Sequence, residues 1–119
     1  DYKDAVGGYG KDMPAVSTIT PKWDDDATAD VKLERLITQK WLAMFPLGLE
    51  AWSDYRRTGY PKLMPVKVNN SGGVVSNERG ARRLAYPQEE RSNNLDNYNA
   101  AVGMLGGADN MATDVWWAK

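Results

Sequence analysis

The chain has 119 residues, enough for one small domain, and its 15 basic and 16 acidic side chains leave a net charge of -1. So even a balance offers no long-range field for nucleic acid or an anionic membrane. With no Cys and no His, disulfides, thiolate nucleophiles, Cys/His zinc sites, serine–histidine triads and histidine acid–base chemistry are excluded within these residues.

Residues 1–23 read as a loop-rich lead-in. Gly7, Gly8 and Gly10 alternate with Tyr2 and Tyr9 without a sustained period, and Pro14 and Pro21 flank Val16 and Ile19, a pattern of extended chain lying over a larger body. Asp24, Asp25 and Asp26 invite a calcium reading, which fails: Ala29 stands where the loop needs Gly, and Arg35 where it needs a bidentate Glu. The same stretch suits a helix start, with Asp26 or Thr28 as cap and Asp30 in the positive first turn.

Residues 24–61 form the central helical segment. Ile37, Trp41, Met44 or Phe45, Gly48, Trp52 and Tyr55 keep a spacing of three and four across Pro46-Leu47-Gly48, which predicts one bent helix or two nearly collinear ones. Arg56 and Arg57 complement the final carbonyls, Gly59 supplies a left-handed cap, and Pro61 forbids continuation.

Residues 62–93 read as an irregular loop or a short hairpin, with Val66 and Val68 facing Val74 and Val75 across Asn69-Asn70-Ser71-Gly72-Gly73. Asn69-Asn70-Ser71 also fits a glycosylation acceptor. Leu84, Tyr86 and Pro87 read as an extended return. Residues 94–119 hold a helix, Leu95 to Leu105, capped by Asn94 and striped by Leu95, Tyr98, Val102 and Leu105. Gly106-Gly107 ends it, and an aromatic tail with Trp116 and Trp117 follows. Two adjacent tryptophans need somewhere to dock. The fold class is therefore mostly α: a bent central helix and a shorter carboxyl-terminal helix joined by long irregular connections. No stretch approaches the roughly twenty apolar residues of a membrane span, and no charged-then-apolar leader opens the sequence.

Several runs carry a resemblance. ITQKW at Ile37 to Trp41, EAWSDYRRTGYPKL at Glu50 to Leu63, RRLAYPQEE at Arg82 to Glu90, NNLDNYNAAVGMLGG at Asn93 to Gly107 and the terminal ATDVWWAK together resemble the carboxyl-terminal portion of SusD/RagB-like outer-membrane nutrient-binding lipoproteins. The chain departs from the family pattern at LAYP, often LPYP, and at Leu95, often Pro. The resemblance implies part of a larger helical fold whose lipid anchor lies in a portion of the protein outside this chain. It implies a non-enzymatic, surface-exposed lipoprotein that captures glycans or other nutrients as the lid of a TonB-dependent transporter. Its partners would be the remainder of the polypeptide, that transporter and an oligosaccharide ligand, with no cofactor and no nucleic acid.

The residues themselves offer several chemistries. Glu50 and Asp54 share a helix face beside Trp52 and Tyr55, as a glycosidase pair would need, and the same spacing suits ion pairs with Lys40, Arg56 or Arg57. Glu89 and Glu90 are adjacent and diverge on any regular element. The Arg56-Arg57 and Arg82-Arg83 pairs could grip anions, and equally could strut helix-end carbonyls. The glycine clusters lack the lysine and hydroxyl of a P-loop. Trp116, Trp117, Tyr60 and Tyr86 have the chemistry to stack on sugar rings, with Asn69, Asn70, Asn93 and Asn110 near in sequence. The resemblance places the glycan platform in an earlier part of the protein, so none of these is assigned as a binding residue. Two rival readings are a glycosidase or accessory carbohydrate-binding module, and a self-contained helical interaction module.

Overall fold

The computed structural model describes residues 15–118, so the glycine–tyrosine lead-in before them lies outside the described residues. Helix α1 runs Ala29–Ala43, α2 Gly48–Thr58, α3 Gln88–Asn93 and α4 Leu95–Met104, with no strand among the described residues. The mostly α class expected from the sequence is the one observed.

Of the two expected caps, Thr28 starts α1: its hydroxyl accepts from the Val31 amide at 3.4 Å. The preceding acids make local bonds, Asp24 to the Asp26 amide at 3.0 Å and Asp25 to the Trp23 indole N–H at 2.9 Å. Pro46 breaks the central helix where expected, with the Phe45–Pro46 peptide cis. The two arms are not collinear. Lys40 of α1 reaches Asp54 of α2 at 2.5 Å, whereas residues so spaced on one straight helix would lie about 20 Å apart along its axis. The chain turns into an elbow, and the predicted apolar face becomes its inner surface: Trp41, Met44, Phe45, Gly48, Trp52 and Tyr55 all line it. Helix α2 stops as predicted, Gly59 adopting φ 78° as its left-handed cap and donating its amide to the Tyr55 carbonyl.

The 62–80 connection is the irregular loop, not the hairpin. One backbone bond, Val66 N–H to Asn77 O at 2.9 Å, joins its limbs. The rest is held by side chains: Asn69 donates to the Val75 carbonyl at 2.6 Å and accepts from the Ser71 amide at 2.9 Å. Polar side chains here supply the bonds a ladder would have made.

Asn94 is the N-cap of α4 as expected, but without the expected side-chain bond to an early backbone amide. It closes α3 and opens α4 with φ -141°, and its side-chain oxygen takes the Asn97 amide group at 2.6 Å in place of a backbone N–H. The stripe on α4 is only partly covered: Tyr98, Val102 and Leu105 are half-buried and Leu95 is exposed.

Burial in this fold is inverted. Ile37 and Ala51 are buried apolar residues, while Glu34, Arg35, Asp54, Arg56, Arg82 and Arg83 are buried charges. Phe45, Leu47, Leu49, Met104 and Trp116 are each more than 60% exposed. The radius of gyration is 17.9 Å, against about 13 Å for a compact domain of this length.

Candidate functional site

The last turn of α2 organises the carboxyl-terminal half. Arg56 points inward, its guanidinium 3.6 Å from the Trp52 ring centroid and 4.7 Å from that of Trp117. This sandwich seats the tail on the helix through two cation–π contacts. The same guanidinium donates to the Arg82 carbonyl at 2.9 Å, and Arg82 donates back to the Arg56 carbonyl at 3.1 Å. Arg82 also holds Asp114 at 2.6 Å, with Arg79 on the second oxygen at 2.8 Å. The Arg82 guanidinium lowers the Asp114 carboxyl below its ordinary value. Burial, with the Arg82 charge nearby, draws Arg56 below the usual arginine range. Trp52 and Tyr55 spend their polar atoms on the same strap, donating to the Ala81 and Glu78 carbonyls at 2.8 and 3.1 Å.

Asp109 is a second hub. Arg83 and Arg91 donate to its two oxygens at 2.5 and 2.8 Å, the Tyr98 hydroxyl at 3.1 Å and the Tyr86 amide at 3.1 Å. Burial pushes this carboxyl upward, but Arg83 and the other donors outweigh it and hold it at about 2. Burial and the bond to Asp109 raise the Tyr98 phenol. Tyr86 and Tyr98 meet edge to face at 5.9 Å, with Arg83 4.9 Å over the Tyr86 ring. Asp109 thereby ties the loops to α3 by charge through Arg91 and to α4 through the Tyr98 hydroxyl.

The four aromatic candidates, the helix-face acids and the arginine pairs singled out in the sequence now have a place. Tyr60 donates to Asp30 in the first turn of α1 at 2.8 Å, Tyr86 belongs to the Asp109 hub, and Trp117 lies on Arg56. Trp116 is 96% exposed. Of the two helix-face acids, Asp54 is buried and ion-paired with Lys40 and Arg57 at 2.5 and 2.7 Å. Those two cations, Lys40 foremost, lower its pKa. Glu50 is exposed. The arginine pairs serve as struts: Arg56 and Arg82 bond carbonyls, and Arg57 and Arg83 hold Asp54 and Asp109. Asp109 and Asp114 carry no motif, and sequence reasoning passed over both. Their one trace was the cluster of arginines at Arg79, Arg82, Arg83 and Arg91.

The remaining feature is an open groove of about 630 Å³ inside the elbow, walled by Trp41, Phe45, Leu47, Trp52, Tyr55 and Leu63. No helix among the described residues is long and apolar enough to cross a membrane. The geometry defines a helical segment with its charges tied inward and an apolar groove facing out.

Comparison with known proteins agrees. The family description "Susd and RagB outer membrane lipoprotein" matches residues 1–118, and the chain belongs to this SusD-like family. A SusD homolog from Bacteroides uniformis is 58% identical with a TM-score of 0.86, over 89% of this chain and 22% of that one. A chitin-binding SusD homolog from Flavobacterium johnsoniae is 53% identical, TM-score 0.82, over 87% and 21%. A third homolog, from Bacteroides vulgatus, is 45% identical, TM-score 0.82, over 92% and 22%. The chain thus spans about a fifth of the length of these relatives. No curated protein matches it.

Proposed function

We propose that residues 1–119 are the carboxyl-terminal portion of a SusD-like, lipid-anchored protein of the outer membrane that captures glycans for a TonB-dependent transporter. The mechanism is binding and gating, with no bond broken. The observation that carries this reading is the family match over residues 1–118. The chitin-binding relative at 53% identity makes chitin oligosaccharides the first ligands to try. This portion acts as structural support: Trp117, Tyr86 and Tyr60 are engaged within the fold, and recognition falls to residues outside it.

The test is to incubate the full-length polypeptide with oligosaccharides. Depletion of a glycan without new reducing ends is expected, and Trp116→Ala leaves the affinity unchanged. New reducing ends would replace this reading with a glycosidase. A loss of affinity in Trp116→Ala would move recognition into this segment.

A further inference from the structure

The Asn69-Asn70-Ser71 triplet fits a glycosylation acceptor by sequence, and the structure spends it within the fold. Asn69 Oδ1 accepts the Ser71 backbone N–H at 2.9 Å, which closes a side-chain turn around Asn70. Asn69 Nδ2 donates to the Val75 carbonyl at 2.6 Å and to Asn77 Oδ1 at 2.7 Å, and Ser71 Oγ accepts the Val75 amide at 3.0 Å. The first and third side chains of the triplet therefore hold the loop. Asn70, between them, is exposed.

An asparagine in that setting has a reaction open to it. The backbone nitrogen of the next residue bonds to the side-chain Cγ, the C–N bond of the side-chain amide breaks, and ammonia leaves with the proton that the backbone nitrogen gave up. Water then opens the five-membered succinimide to aspartate or isoaspartate, and nothing is oxidised or reduced. The next residue must be small enough to let the ring close. Ser71 is small, and Gly72 and Gly73 follow it at φ 65° and 85°, so the local sequence leaves the reaction free to run. The fold obstructs it at two points. The attacking nitrogen would be that of Ser71, whose proton Asn69 holds, and the turn closed by that bond fixes the Asn70 backbone that would have to rotate. We propose that Asn69 guards Asn70: the side-chain oxygen of one asparagine suppresses succinimide formation at the next, and Asn70 becomes a deamidation site when that bond is lost.

The experiment holds the full-length polypeptide in mildly alkaline buffer and follows, by peptide mapping, the mass gained at Asn70 as an amide becomes an acid. Asn69→Ala is expected to deamidate at Asn70 roughly three- to tenfold faster than the parent, the factor by which one hydrogen bond biases an equilibrium. Asn69→Asp keeps an acceptor for the Ser71 N–H while losing both amide donors, and its rate at Asn70 is expected to stay near that of the parent. Equal rates in the parent and Asn69→Ala overturn the proposal. So does an acceleration in Asn69→Asp as large as in Asn69→Ala, which would credit the loop's general rigidity and not this bond. A matching rise at Asn97 in α4 would trace the change to unfolding, and overturns it as well.

Discussion

Arg56 and Arg82 each donate a guanidinium N–H to the other's backbone carbonyl, at 2.9 and 3.1 Å. The exchange joins the end of α2 to a segment 26 residues on, and both side chains are buried. Lysine can supply the charge but neither the planar fork nor the stack between two indoles. Arg56→Lys is therefore expected to destabilise the full-length polypeptide by about 2 kcal/mol in urea unfolding. Combining it with Trp117→Ala should give less than the sum of the two, because both changes dismantle one sandwich.

Asp109→Asn leaves Arg83 buried without its counter-charge, a loss of roughly 3 kcal/mol readable in the same unfolding assay. The pH dependence has a definite sign. The folded carboxyl titrates at about 2 against 3.8 for the free group, so its contribution is full above about pH 4 and is lost as pH falls through the folded value. Melting of the parent protein should decline over that acid window. The asparagine variant should decline less.

Gly59 holds φ 78° and has open space where a side chain would go. The penalty for Gly59→Ala is then entirely backbone, about 1–2 kcal/mol. Gly59→Asn, which tolerates the left-handed region better, should recover part of it in a thermal melt.

Produced alone, residues 1–119 are expected to unfold over a broad range in circular dichroism, without a sharp cooperative transition. Ile37 and Ala51 are too little buried apolar surface to tie four helices together. A steep melt would show that the ionic ties suffice by themselves.

Local chemistry announced itself in the sequence wherever a residue dictates its own backbone. Pro46 broke the central helix, Gly59 ended it, and Thr28 capped its start. The direction of the bend was not legible, because the spacing of Trp41, Trp52 and Tyr55 is the same whether a face is sealed or lines an open elbow. Helix α3 went unread: six residues are too few to show a period, and Pro87 followed by Glu89 and Glu90 was its trace. The hubs at Asp109 and Asp114 were hidden for another reason. Their arginines lie 18 to 35 positions away, and no spacing rule links a lone aspartate to such partners. At Asn94 the cap position was legible and its bond was not, because the side-chain oxygen accepts from the Asn97 side chain instead of a backbone amide.

Trp116 and Trp117 are adjacent in the chain and opposite in surroundings, one in solvent and one against a guanidinium. Their emission should differ accordingly, the solvated indole red-shifted and readily quenched by iodide. The iodide-quenchable component of the emission thus reports Trp116 on that edge of the protein, and it blue-shifts when any molecule comes to rest there.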